Sequence, residues 1–211
     1  MKIRMLTHEF LPYQGGVATY THGVATAAAA AGHEVVVRAP AYDGLPDSDR
    51  DLPYRVERFP GGLYTHFAFP GLLIRGLAWI RAEPDAVFHA VDWPWAEVLF
   101  VLRKIKRFQY WATLHGTDVL SMASNAFARY LGIKNPYASA DHVLANSAAT
   151  MALYEERAVH VPPAQQRRVT LLGVEPVWFE AADPRLLASV LPELTEGDLL
   201  LVSVGRLEPR K

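Results

Sequence analysis

In Leu114-His115-Gly116-Thr117-Asp118 a histidine closes an apolar run and a glycine follows at once. A neutral imidazole there can bond a sugar hydroxyl, and its titration near neutrality suits proton traffic. A lone histidine is commonly structural. In open parallel sheets, however, ligands gather outside the carboxyl ends of strands, which favours a functional role for His115.

Phe88-His89-Ala90-Val91-Asp92-Trp93-Pro94-Trp95 ends a second apolar run with a carboxylate and two indoles. An aromatic face can meet sugar C–H bonds while an acid accepts hydroxyl hydrogen bonds. The indoles also suit plain packing, so Asp92 is the stronger functional candidate. His115 and Asp92 are taken as the candidate catalytic residues, and Thr117, Asp118, Trp93 and Tyr13 as candidate acceptor or sugar contacts.

A third feature is Pro12-Tyr13-Gln14-Gly15-Gly16-Val17, which leads directly into an alanine-rich stretch. A glycine pair at a strand-to-helix junction lets a ligand approach the backbone beside unpaired N–H groups, and a phosphate or sugar hydroxyl suits that place. A tight turn with no ligand explains the same spacing. The pattern is not G-x-G-x-x-G, and the second strand ends in Arg38-Ala39 instead of the acid that would hold a cofactor ribose. A nicotinamide cofactor is thereby disfavoured, although Arg38 can in principle meet a 2′-phosphate.

Other chemistries find no support. His89, Asp92 and His115 show no zinc-type spacing, neither G-x-S-x-G nor H-E-x-x-H occurs, and the chain has no cysteine. No recognisable zinc site and no nicotinamide cofactor site is therefore expected. With 21 Lys and Arg against 22 Asp and Glu, the net charge of -1 creates no field that would attract a nucleic acid.

The elements that must position these residues follow from patterning. Short apolar runs alternate with helical stretches, the signature of βαβ units and a mainly parallel sheet. Strands are expected at 3–6, 35–39, 54–59, 86–90, 110–114, 143–145 and 169–171. Helices are expected at 17–31, stopped by Gly32, and at 72–81, 95–107, 124–131 and 147–157, the last capped by Ser147. The fold class is α/β: a Rossmann-like sheet with helices on both faces.

Past Leu171 the pattern changes. Pro176, Pro184 and Pro192 punctuate a segment with one short helical run, 185–191, before the apolar run 199–204. The 211 residues allow one well-buried domain and a remnant of another. Residues 1–180 are read as the first domain, and 181–211 as a linker and the first strand of a second, because one strand cannot bury both its own faces.

Apolar residues form 51% of the chain and charged residues 20%, ordinary for a globular protein. No export signal and no run of about 18 apolar residues is evident, which points to the cytoplasm. The run Arg103-Lys104-Ile105-Lys106-Arg107 ends a predicted helix, where cations complement the helix dipole. The same cations offer a peripheral contact to anionic lipid at the inner membrane face.

Together these pieces resemble the GT4-type, or group 1, glycosyltransferases of the GT-B fold, over essentially the whole chain and in the expected order. The resemblance rests on Thr7-His8-Glu9-Phe10-Leu11-Pro12 leading to Gly15-Gly16-Val17, on Ala31-Gly32-His33-Glu34-Val35, and on Leu114-His115-Gly116-Thr117-Asp118. It continues through Ala145-Asn146-Ser147, Gly173-Val174-Glu175 and Val204-Gly205-Arg206-Leu207.

The resemblance implies two Rossmann-like domains facing across a cleft, the N-terminal one binding the acceptor and the C-terminal one a nucleotide-diphosphate sugar. It places Gly15 and Gly16 near the donor phosphate and His115 against the transferred sugar. Arg206 and Lys211 take the places of the cations that neutralise the donor diphosphate. It further implies retention of anomeric configuration, no catalytic metal, and a leaving phosphate that assists deprotonation of the acceptor, which is a glycan, a lipid or a small molecule.

The sequence departs from the family pattern at Leu171-Leu172-Gly173-Val174, where an Asn commonly precedes the glycine. The family's Glu-rich donor motif lies beyond 211 residues, so this chain alone is expected to be inactive and to bind donor weakly. A non-catalytic sugar-binding domain and a Rossmann-type oxidoreductase or epimerase are the alternatives.

Overall fold

The computed structural model describes residues 1–13, 15–42, 47–122, 133, 135–174, 179–181, 183, 185, 189–193 and 199–201. The chain divides into two compact units, Met1–Gly173 and Val174–Lys211. All regular elements described below belong to the first.

That unit is a seven-stranded sheet in which every neighbouring pair is parallel. The strands are β1 (Lys2–Leu6), β2 (Glu34–Pro40), β3 (Arg55–Phe59), β4 (Val87–Ala90), β5 (Gln109–Leu114), β6 (His142–Ala145) and β7 (Arg167–Val169). Their spatial order is β3-β2-β1-β4-β5-β6-β7. The chain winds outward from β1 to β3, then crosses back to β4 and winds the other way. The carboxyl ends of β1 and β4 therefore flank the point where strand order reverses, the place where such sheets open a crevice. Leu6 pairs with Ala90, and Ala90 with Ala112, so the ends of β1 and β4 are level there while β5 continues to Leu114.

Among the described residues the unit also holds the α-helices α1 (Gly16–Ala30), α2 (Phe69–Ala82), α3 (Trp93–Arg103), α4 (Thr117–Met122) and α5 (Ala148–Arg157). Alternation along β1 splits its side chains between two cores. Ile3 and Met5 pack with Tyr20 and Ala25 of α1, and Leu6 with residues of α2 and α3. Gly32 stops α1 at φ +82°, a left-handed conformation suited to glycine, its amide bonding Ala29 O at 2.9 Å.

Several limits differ from those expected. Helix α3 ends at Arg103, not 107, because tightened turns from Lys104 N to Val101 O (3.1 Å) and Ile105 N to Leu102 O (3.0 Å) deliver buried Phe108 to the core. It also begins earlier, at Trp93, since Asp92 caps it. Strand β7 spans Arg167–Val169 and not 169–171, because β6 ends opposite Val169 and leaves nothing to pair with. The helix expected at 124–131 lies outside the described residues, as does most of 185–191. Of the strand expected at 199–204, residues 202–204 lie outside them, while Leu199, Leu200 and Leu201 are exposed and form no strand. Among the described residues no strand pairs with them.

The end of α2 is pinned by an ionic cluster built on two buried arginines. Arg4 pairs with Glu34 and Glu83, and Arg38 with Glu57 and Glu83. Arg38 also lies over the Trp79 ring, 4.6 Å from its centroid. Its guanidinium is thus engaged inside the fold and does not serve a cofactor 2′-phosphate.

Candidate active site

Asp92 follows β4 and caps α3. Its Oδ1 accepts a long bond from Trp95 N (3.4 Å), while Oδ2 accepts from the Thr7 hydroxyl (3.1 Å) and, more closely, from the amide of His8. One carboxylate thereby ties the end of β1 to the start of α3. A carboxylate has about four lone-pair positions, and three are in use. Of the two indoles, Trp95 is fully buried and packs against Phe59 and Trp79, whereas Trp93 is only half-buried.

The end of β5 is shaped by Asp118. Its Oδ1 accepts from the amides of His115 (3.1 Å), Gly116 (2.8 Å) and Val119 (3.1 Å), and its Oδ2 from the Tyr137 hydroxyl (2.8 Å). This wraps the turn around the carboxylate, with Gly116 at φ +104°, where a side chain would be strained. The turn holds His115 half-buried, and its Nε2 lies 2.9 Å from Val91 O. A carbonyl only accepts, so Nε2 carries a proton, and in the neutral ring Nδ1 is the acceptor. The Tyr20 ring meets the imidazole edge-on at 5.0 Å.

Gly15 is the N-cap of α1 in an extended conformation, with no side chain capping the helix. A Cβ at Gly15 would stand 2.8 Å from Glu9 Oε2 and 3.0 Å from Tyr13 Cε1, whereas at Gly16 it would meet nothing within 4 Å. A side chain at the first glycine would displace Glu9 and Tyr13, whereas the second leaves open space at the helix start.

These pieces surround one cavity of about 320 Å³, lined by His8, Glu9, Tyr13, Val17, Leu63, Tyr64, Asp92, Trp93, Pro94, His115, Thr117 and Asp118. Six of the expected site residues, Tyr13, Asp92, Trp93, His115, Thr117 and Asp118, are therefore brought together. Gly15 and Gly16 lie in the chain between two lining residues, Tyr13 and Val17. Arg206 and Lys211 fall outside the described residues. His8, Glu9, Leu63 and Tyr64 were not singled out beforehand. His8 and Glu9 were visible only inside a family motif, and Tyr64 only inside a loop rich in glycine and aromatics.

Three further polar groups are buried, of which His8 also lines the cavity. His8 stacks on Trp95 with centroids 5.7 Å apart, its Nδ1 3.8 Å from Asp92 Oδ1. Burial, reinforced by His115, pushes the His89 pKa down to about 4, and its Nε2 bonds Thr113 Oγ1 at 2.7 Å. Burial pushes Glu97 of α3 up to about 7. Among the described residues no group of three His, Asp or Glu could hold a metal ion.

The basic run leaves the sheet's other end. Arg103 pairs with Asp141 at 2.8 Å, Lys104 lies over the Phe100 ring, and Lys104 and Arg107 are exposed beside Ile105. No helix among the described residues is long and apolar enough to cross a membrane.

A parallel sheet whose strand order reverses at a polar, aromatic-lined crevice, with a glycine pair at its first strand-to-helix turn, defines the N-terminal Rossmann-like half of a GT-B fold. The chain belongs to Glycosyltransferase Family 4, whose profile matches residues 14–174. No curated protein sequence matches it.

Solved structures agree on the fold. Sucrose-phosphate synthase from Thermosynechococcus elongatus superposes with a TM-score of 0.68 at 20% identity, over 92% of this chain and 53% of that one. Anabaena HepE, solved in complex with UDP-glucose, gives 0.65 at 17% identity, over 92% and 49%. WaaG, a glycosyltransferase involved in lipopolysaccharide biosynthesis, gives 0.53 at 14%, over 92% and 52%. The chain spans about half the length of these relatives.

Proposed function

We propose that this chain forms the acceptor side of a retaining glycosyltransferase that moves a hexosyl group from a nucleotide-diphosphate sugar to an acceptor hydroxyl. The observation that carries the reading is the placement of His115. Its imidazole lines the crevice with Nε2 bonded to Val91 O, which leaves Nδ1 able to accept a hydrogen bond from a sugar hydroxyl. The HepE complexes with UDP and UDP-glucose support a nucleotide-sugar donor.

In this reading Tyr13 and Trp93 flank the sugar, Thr117 offers a hydroxyl, and Gly16 admits the donor phosphate to the start of α1. Asp118 holds the turn that aims His115. Asp92, with three of its positions occupied, acts chiefly by fixing His8 and the start of α3. Arg206 and Lys211 are assigned to the donor diphosphate, where cations stabilise the departing charge. By family resemblance no catalytic metal is required.

A second Rossmann-like domain supplies the remaining donor contacts, and each missing charge-assisted bond is worth about 1.5 to 3 kcal/mol. The 211-residue chain alone is thus inactive. We place the enzyme in the cytoplasm, with peripheral membrane contact through Arg103, Lys104, Lys106 and Arg107.

The test is nucleotide release from a panel of nucleotide-sugars with mixed acceptors. The gene product extended through a second domain should turn over and this chain should not. Failure of the extended protein with every donor contradicts the assignment.

A further inference from the structure

We infer that Tyr20 of α1 is a positioning residue for His115, tying the imidazole to the helix whose first turn is assigned to the donor phosphate. The inference rests on the reading of His115 as a sugar contact and names the residue that holds its ring.

Asp118 fixes the backbone of the turn after β5 through the amides of His115, Gly116 and Val119. A peptide held in this way still leaves the side chain its own rotations, so the ring needs contacts of its own. Two groups meet it. Val91 O lies 2.9 Å from Nε2, and the Tyr20 ring stands 5.0 Å away, edge-on at an interplanar angle of 85°. One hydrogen bond restrains one atom and lets the ring plane turn about it. A second ring packed at a right angle removes that freedom, and edge-to-face is a favoured arrangement.

Tyr20 is itself held at both ends. It packs with Ile3 and Met5 of β1 and Ala25 of α1, while its hydroxyl lies 3.2 Å from Thr113 Oγ1, with Thr170 as a further partner. The same Oγ1 is 2.7 Å from Nε2 of His89, a buried residue of β4. A hydroxyl both donates and accepts, so Thr113 can join the two partners. Thr113 precedes His115 by two residues, so Tyr20 grips the end of β5 twice, by its hydroxyl at 113 and by its ring at 115.

The place of Tyr20 in α1 supplies the consequence. Gly16 opens the helix and Tyr20 follows four residues later, one turn on and on the same face. A phosphate seated at the helix start and the imidazole are then both referred to one rigid element. Tyr20 is buried and acts through His115, not on the sugar.

The test is solvent exchange of the His115 Nε2 proton, read by NMR in this chain, because that proton is protected while the ring keeps its place against Val91 O. Tyr20→Leu should speed exchange by about tenfold or more, and Tyr20→Phe, which keeps the ring but loses the hydroxyl anchor, by severalfold. Val24→Ala thins the same core from the same helix and should leave exchange as in wild type, even where it lowers the thermal midpoint. In the extended enzyme kcat of Tyr20→Leu should fall by about tenfold or more with KM little changed. Unchanged exchange in Tyr20→Phe overturns the inference, and that variant decides the matter if Tyr20→Leu fails to fold. An equal rise in Val24→Ala, or faster exchange with a normal kcat, overturns it as well. If exchange responds as expected while the extended wild type is inactive with every donor, the functional assignment falls and the hold of Tyr20 on His115 stands.

Discussion

The carboxylate of Asp118 sits beneath the backbone of His115, with its Oδ1 and Oδ2 3.1 and 3.2 Å from the same amide nitrogen. Oδ1 also takes the amides of Gly116 and Val119, and Oδ2 the Tyr137 hydroxyl. The direction of the His115 ring is therefore decided three residues away, by an acid that is itself buried.

Asp118→Asn keeps the shape but removes the charge from at least three charge-assisted bonds. We expect a stability loss of about 1 to 3 kcal/mol in urea unfolding. In the extended enzyme kcat should fall by about tenfold or more with KM little changed, as for misorientation of a group that acts in the transition state. A variant with normal kcat would show that the turn does not aim His115.

The two glycines should separate cleanly. Gly15→Ala places a Cβ 2.8 Å from Glu9 Oε2 and should cost about 1 kcal/mol as Glu9 and Tyr13 shift. Gly16→Ala meets nothing within 4 Å and lies inside α1, so stability should hold or rise by up to about 1 kcal/mol. Its cost should fall on donor binding in the extended enzyme. Equal losses of stability in both variants would contradict this division.

Two buried groups oppose each other in acid. His89, held near 4 instead of 6.5, makes the fold lose stability as pH falls from about 6.5 to 4, because the unfolded chain takes up the proton first. Glu97, pushed from 4.5 to about 7, makes it lose stability as pH rises through that window, because the folded state holds its proton longer. Each is worth about 3 kcal/mol at full extent, and over the shared window they largely cancel. Relative to wild type, His89→Gln should therefore gain stability on acidification from pH 7 to 4.5, and Glu97→Gln should gain it on going from pH 4.5 to 7. Denaturant titrations at several pH values decide, and variant curves parallel to wild type would exclude both roles.

Much of the sheet was legible because β2, β4, β5 and β6 are built on short apolar runs between turns, and the glycine at 32 marks the end of α1. His115 and Asp92 were legible because they end such runs. What Asp92 bonds was not, since its partners Thr7 and His8 reach it only through the adjacency of β1 and β4. Tyr137 escaped for a similar reason: its bond to Asp118 joins residues 19 positions apart, a separation that no single element's periodicity reports. Strand β7 stops where β6 stops, a limit set by pairing and not by its own residues.

The most direct test of the central claim, that the crevice between β1 and β4 binds sugar, is amide chemical-shift mapping of this chain against methyl glycosides. Shifts should concentrate at residues 8–17, 63–64, 91–94 and 115–118, and His115→Ala should abolish them while the rest of the spectrum stays in place. Shifts spread elsewhere, or unchanged binding in His115→Ala, would contradict it.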